Sequence, residues 1–374
     1  MKTPIKLSQY GQHYSSDSGI VELMDDLGSA LRDNPQMLMM AGGTPARIPA
    51  AEQLFQTTLQ QLAADPASTQ ALLGRYQGPK GDLAVRELLA TQLREDYGWD
   101  LTADNIALTN GGQSAFSIVA NMLAGEGSNG SKRIHFPLVP EYLGYADVGI
   151  SKNFFSSARP QLQLLDDGLF KYTLDRSAVI PQDAAALCIS RPTNPSGNVL
   201  TDDEVRFLDG AARARGIPLI VDAAYGLPFP ALQYGDDTSA YWSDNVILLL
   251  SLSKVGMPGT RSGFLVAAAD LIEAKALKAV ALLREALRDI PCHIHKPEGA
   301  FFLWLWLPSL PVRSEQLYRQ LKHHGLLVIP GENSFIGLAE PWDHSHQCIR
   351  LSYAVDDAML AQAAAVLGST LKKL

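Results

Sequence analysis

The chain has 374 residues, of which 47% are hydrophobic and 19% charged, with a formal net charge of -8 at pH 7. That composition fits a soluble globular protein of one large or two unequal domains, able to bury its core without disulfide or metal staples. The negative balance is spread along the sequence without a basic block, which excludes the footprint of a nucleic-acid or anionic-membrane binder and favours small-molecule chemistry.

The segment Met1 to Tyr10 lacks the apolar stretch of a signal peptide, and the longest apolar runs, Val246 to Leu250 and Phe301 to Leu307, fall far short of a membrane span. Cys188, Cys292 and Cys348 are scattered, without C-x-x-C spacing, so a cytoplasmic location is expected. Helical periodicity then appears over Gly81 to Tyr97, and a strand is expected at Ile106 to Thr109. Next come a helix over Gln113 to Leu123 and strands at Arg133 to Pro137 and Ala186 to Ser190. Thr201 reads as the N-cap of a helix over Asp202 to Arg215, whose first turn carries Asp202, Asp203 and Glu204. Strands follow at Pro218 to Asp222, Val246 to Leu250 and Gly263 to Ala267, then a helix over Glu273 to Arg288. The remainder reads as strands at Phe301 to Leu307, Leu326 to Ile329 and Cys348 to Tyr353, with helices at Glu315 to His323 and Asp356 to Lys373.

This alternation predicts an α/β protein: a large domain with a mainly parallel, doubly wound sheet, and a smaller α/β domain built from the N- and C-terminal segments. The expected division is residues 1–45 and 273–374 for the small domain and 46–272 for the large one.

In open parallel sheets, ligands bind beyond the carboxyl ends of the strands, where loops and helix N-termini converge. Four expected strands end in polar groups suited to one ligand: Gly111-Gly112-Gln113, Asn194, Asp222 with Tyr225, and Ser251 to Lys254. The glycines open a helix whose free N–H groups suit a phosphate, although alone they describe an ordinary strand-to-helix turn. Two prolines and a glycine in Arg191 to Gly197 make a rigid loop that aims the Asn194 amide. Asp222 suits a protonated pyridine nitrogen, and Tyr225 a neighbouring phenolate. Lys254, between Ser251, Ser253 and Arg261, reads as an amine meant to bond covalently to a phosphorylated aldehyde. Ser251-x-x-Lys254 with Ser243-Asp244-Asn245 also matches a serine hydrolase signature, but in the wrong order and without a K-T-G. His344 and His346 have the spacing of a metal pair without a third ligand nearby, so no metal is expected.

Taken in order, Asn194-Pro195-x-Gly197, Asp222-x-x-Tyr225 and Ser251-x-Ser253-Lys254 with Arg261 and Gly263 resemble the class I, fold-type I aminotransferases that use pyridoxal 5'-phosphate. The resemblance implies that Lys254 holds the cofactor covalently, that Asp222 pairs with its ring nitrogen, and that Asn194 and Tyr225 bind its phenolic oxygen. Gly112, Gln113, Ser251, Ser253 and Arg261 would take the phosphate, Tyr142 would stack on the ring, and Tyr76 would reach the phosphate of a second subunit in a homodimer. Arg350 would grip the substrate's α-carboxylate, with Asn194 and Gly43 beside it. The implied reaction moves an amino group from an aliphatic amino acid, valine favoured, to pyruvate; another aliphatic specificity, alanine included, is the alternative. A cofactor-binding sensor of the same descent would carry a DNA-binding domain ahead of Gly42, where too few residues stand.

One departure bears on activity. The stretch from Lys254 to Arg350 is shorter than in the resembled family by roughly 40 residues, a loss that would strand apolar surface on both domains. The expectation is therefore a sequence from which residues are missing, whereas a real deletion would point to a non-catalytic relative.

Overall fold

A computed structural model describes residues 26, 28–30, 32, 34–43, 45, 47–74, 81–127, 130–235, 237–262, 280–297, 302–352 and 357–374. Strand β1 (Leu38–Met39) precedes helices α1 (Pro49–Ala64), α2 (Pro66–Gly74), α3 (Leu83–Tyr97) and α4 (Gly112–Leu123). Strands β2 (Gly125–Gly127), β3 (Gly130–Phe136), β4 (Phe155–Ser157), β5 (Gln161–Leu164), β6 (Leu169–Thr173) and β7 (Ala184–Ser190) follow, then α5 (Asp202–Ala214), β8 (Leu219–Asp222) and β9 (Val246–Leu249). After a helix over 280–286, α6, come β10 (His293–His295), β11 (Phe302–Trp306), α7 (Ser314–His323), β12 (Leu326–Leu327), β13 (Ile329–Pro330), β14 (Cys348–Ser352) and α8 (Asp357–Leu371).

The site-bearing sheet runs β2-β3-β7-β8-β9, parallel from β3 through β9, with β4 added parallel to β3. Its central strands read as near-continuous apolar runs because both faces are covered, and all of β8 is buried. α5 covers it with Val205, Leu208 and Ala212, one face at helical spacing. The Thr201 hydroxyl accepts from the Glu204 N–H at 3.2 Å while the Glu204 carboxylate accepts from the Thr201 N–H at 2.8 Å, a reciprocal cap that fixes where this helix begins.

A second six-stranded sheet, β13-β14-β11-β10-β6-β5, carries the C-terminal strands. It recruits the β5–β6 hairpin from mid-chain through a parallel pairing of Leu169 with Ile294 and Phe170 with His295. The predicted strand Leu326 to Ile329 is instead two short strands separated at Val328, because β12 pairs with β1 and β13 with β14. Ile106 to Thr109 is irregular rather than a strand. An isolated run of that length needs a ladder partner, and none meets it among the described residues. The expected strand Gly263 to Ala267, the first part of the helix from Glu273 and the expected domain boundaries at 45/46 and 272/273 fall on or beside residues outside the description. No helix among the described residues is long and apolar enough to cross a membrane.

Two buried clusters result. One gathers Phe116, Phe136, Leu187 and Ile220 around the parallel sheet, and the other gathers Met40, Leu303, Leu327 and Ile349 around the C-terminal strands. Tyr142 packs against both.

Candidate active site

Ser190, Asp222 and Leu249 stand in register at the carboxyl ends of β7, β8 and β9, so the loops that follow open on one cleft of ≈ 540 Å³. Gly43, Gly112, Gln113, Tyr142, Asn194, Asp222, Tyr225, Ser251, Ser253, Lys254, Arg261 and Arg350 all line it. Tyr76 lies outside the described residues.

The Asn194 loop is held from behind. Buried Arg191 donates to the Leu200 carbonyl at 2.7 Å, the Ser239 carbonyl at 2.9 Å and the Asp202 carboxylate at 2.6 Å, which pins both ends of the loop to α5 and its neighbour. Asn194 Oδ1 then accepts from Arg350 Nη1 at 2.6 Å, while Arg350 Nη2 donates to the Ala41 carbonyl at 2.7 Å. The guanidinium carbon sits 3.9 Å from the Phe302 ring centroid. Burial pulls the Arg350 pKa down to about 10, so it remains charged at neutral pH. Its Nε is buried without a hydrogen-bond partner among the described residues, a spare donor in the guanidinium.

Lys254 Nζ donates to the Gly43 carbonyl at 2.9 Å and lies 5.3 Å from the Tyr225 ring centroid. A Cβ on Gly43 would stand 3.4 Å from that nitrogen, so the glycine leaves the amine its room. Desolvation, with the charges of Arg350 and Arg261 adding to it, lowers the Lys254 pKa to about 8. Asp222 accepts from the Ala224 N–H at 2.9 Å and from the Tyr145 hydroxyl. Burial raises its pKa, and the charge of Lys254 opposes the rise. A buried carboxylate met by neutral donors is the environment that a ring N–H⁺ would complete.

At the far end, Gly111 caps α4 with φ +87, and a Cβ there would meet Arg261 Nη2 at 2.9 Å. Arg261 itself adopts φ 52, and its other nitrogen reaches toward Ser253 Oγ at 3.5 Å. Gly112 and Gln113 at the helix N-terminus, the Ser251 and Ser253 hydroxyls and Arg261 therefore line one end of the cleft together, a donor set of the kind that suits an anion. The donor set, the spare room at the glycines and the buried carboxylate together fit a phosphorylated pyridine aldehyde.

Comparison with known proteins decides the family. The family model described as aminotransferase class I and II matches residues 47–281. The chain belongs to the class I and II aminotransferases. Similarity extends over the whole length: the valine–pyruvate aminotransferase of Escherichia coli (strain K12) is 39% identical over 411 residues, covering 98% of each chain. An amino-acid aminotransferase structure from Psychrobacter arcticum superposes with a TM-score of 0.92 at 38% identity, covering 99% of both chains. The valine-pyruvate aminotransferase of Salmonella typhimurium gives 0.85 at 37%, covering 95% of this chain and 99% of that one. The aligned span of 411 residues exceeds the 374 of this aminotransferase, so the Escherichia coli relative carries residues without a counterpart here, in keeping with the short stretch after Lys254.

Sequence reasoning missed two groups of residues, one lining the cleft of this aminotransferase and one behind it. Met39, Ala41, Leu143 and Ile329 form apolar walls contributed by separate elements, and nothing in their local sequence marks them. Glu141, Ser190 and Tyr145 lie behind Asp222; the signal that could have found them is an acid standing next to the aromatic pair Tyr142 and Tyr145 in an otherwise apolar turn.

A depressed amine pKa has a measurable consequence. The proton leaves Lys254 as pH rises through about 8, so its labelling by a small acylating reagent in the cofactor-free protein should be half-maximal near pH 8. Ordinary lysines reach that point only near about 10.4. Site-resolved mass spectrometry across the pH range checks this, and a midpoint with the surface lysines would contradict the depressed value.

Proposed function

We propose that this aminotransferase uses pyridoxal 5'-phosphate to move the amino group of an aliphatic amino acid, valine favoured, to pyruvate. The observation that carries the reading is the meeting of Lys254, Asp222 and Arg350 in one cleft with an anion cradle at its far end. Bound there, pyridoxal phosphate supplies an aldehyde that bonds to an amine and a protonated ring that withdraws electrons.

The protein's residues do the rest. Lys254 provides the covalent attachment and, as a free amine, takes the proton from the amino acid's α-carbon. Asp222 keeps a proton on the ring nitrogen by holding its own negative charge against it. Asn194 and Tyr225, hydrogen-bonded to each other, address the phenolic oxygen. The N-terminus of α4, Ser251, Ser253 and Arg261 take the phosphate, and Tyr142 covers the ring. Arg350 binds the α-carboxylate as a planar fork, with Asn194 already on one nitrogen and the Gly43 backbone alongside.

Donor choice rests on charge. Among the described residues the cations lining the cleft are Lys254, Arg261 and Arg350, each assigned above, and Met39, Leu143 and Ile329 add apolar wall. An acidic donor would bury a second carboxylate without a partner, whereas valine or alanine would not. α1 and α2 contain no buried residue and leave Leu72 at 68% and Leu73 at 80% exposure, which supports a homodimer whose second copy covers them and brings Tyr76 to the phosphate. Three unpaired cysteines support a reducing cytoplasm.

The test is the absorbance change on adding pyridoxal phosphate, followed by a panel of amino donors with pyruvate. Valine is expected to be turned over with kcat/KM at least about 10²-fold above aspartate. A preference for aspartate would overturn the donor assignment, and cofactor binding without turnover of any donor would overturn the activity.

A further inference from the structure

Behind Asp222 lies a file of three side chains with no part in the proposed chemistry. Tyr145 donates its phenolic proton to Asp222 Oδ2, and its oxygen stands 3.4 Å from Ser190 Oγ. Ser190 in turn meets Glu141: its N–H donates to Oε1 at 2.8 Å and its Oγ lies in hydrogen-bond contact with Oε2. Glu141 is fully buried, with its own N–H spent on the Ser334 carbonyl at 2.8 Å.

Counting protons defines two arrangements, and the charge each one buries separates them. If Glu141 is ionised, Ser190 must turn its single hydroxyl proton toward Oε2. Tyr145 has given its proton to Asp222, so the long 3.4 Å contact then carries no hydrogen bond, and what weighs against this arrangement is the second buried charge it creates. If Glu141 is neutral, Oε2 donates to Ser190 Oγ, the serine proton is released toward Tyr145, and every hydroxyl in the file donates in one direction. The only anion is then at the end of the chain, on Asp222. Two buried carboxylates linked through two hydroxyls also cannot both ionise cheaply.

We propose that Glu141 is a neutral acid that heads a one-way proton-donor relay, Glu141 to Ser190 to Tyr145 to Asp222, and so places the negative charge of this region on Asp222. It is a positioning residue. The relay is a property of the protein alone; its consequence for catalysis rests on the reading that Asp222 pairs with the cofactor's ring nitrogen. Burial raises the Glu141 pKa to about 8 even against the Ser190 and Tyr142 donors, and the like charge of Asp222 adds to the rise. The other titratable groups facing the file, Cys188 on β7, Tyr142 and Tyr145, are each pushed upward by burial and stay neutral in the same range.

Glu141→Gln is the informative variant, because an amide copies a neutral acid: its NH₂ donates to Ser190 Oγ and its carbonyl accepts the Ser190 N–H. Infrared spectra of the cofactor-free protein should show a carboxylic-acid carbonyl band that disappears in wild type with a midpoint near pH 8 and is missing at every pH in Glu141→Gln. Pyridoxal phosphate affinity, read by titration of absorbance, should fall above that pH by roughly 5- to 10-fold more in wild type than in Glu141→Gln. The pairwise comparison removes the titration of Lys254, which both proteins share. Ser190→Ala, which cuts the relay while leaving Glu141 in place, should bind the cofactor weakly at all pH values. A wild-type protein without the Glu141 band near neutral pH would overturn the proposal, as would identical pH profiles for wild type and Glu141→Gln. The band together with failure to bind any pyridoxal phosphate would uphold the relay and sink the cofactor reading instead.

Discussion

Lys254→Ala is expected to abolish transamination, lowering kcat by about 10⁵-fold or more, the scale on which loss of a catalytic nucleophile acts. The variant removes both the attachment point and the base, and none of the other groups at the cleft can replace a lysine amine. Arg350 remains charged at neutral pH, and Asp222 is engaged by Tyr145 and Ala224. Lys254→Arg should fail as completely, because a guanidinium does not release its proton near neutral pH. The fold should not suffer. Lys254 shares a cleft with two other cations, and its lowered pKa records the repulsion together with the desolvation. Removing that charge should leave the melting temperature of the cofactor-free protein unchanged or raised, as expected where function is held at a cost in stability. Rate measurement with valine and pyruvate alongside thermal melting checks both halves. Normal turnover by Lys254→Ala would end the assignment of this residue.

The second large effect is at Arg350. Arg350→Leu should reduce kcat/KM by about 10²- to 10³-fold, the loss that follows when one partner of a buried, hydrogen-bonded charge pair is removed. The side chain is already oriented by Asn194, the Ala41 carbonyl and the Phe302 face, so the free protein presents a prepared fork and an unused Nε. Arg350→Lys should recover less than a tenth of the activity, because an ammonium cannot make the paired N–H contacts or stack on the ring. Cofactor binding should persist in both variants, since the phosphate cradle and Asp222 stand on other strands. Loss of cofactor affinity equal to that of a cradle variant such as Arg261→Ala would reassign Arg350 to the cofactor.

The strands that carry the chemistry were readable in the sequence because each is a short apolar run bounded by turn residues and followed by a polar group. Pro218 to Asp222 and Val246 to Leu250 became β8 and β9 almost residue for residue. The cap at Thr201 was readable because it is local, one hydroxyl and one carboxylate three positions apart. Ile106 to Thr109 is irregular for the opposite reason: its apolar pattern is local, but a strand exists only through a partner, and none meets it among the described residues. The division of Leu326 to Ile329 likewise depends on two different partners, β1 and β14, that no local pattern specifies.

The same distinction separates the parts of the site. By itself the sequence pointed to Lys254, to the acid and aromatic groups after each strand, to the glycines that open α4 and to the resemblance to the class I aminotransferases, because spacing along a strand and its loop is a one-dimensional property. Only the tertiary structure decided that Arg350, 156 positions from Asn194, shares a hydrogen bond with it, and that Lys254 rests on the carbonyl of Gly43, 211 positions away. It alone aligned Glu141, Ser190, Tyr145 and Asp222 into one file and brought Met39, Leu143 and Ile329 together along the cleft. Burial and hydrogen-bond partnership arise between segments distant in sequence, and they, rather than residue type, fix which buried groups carry charge.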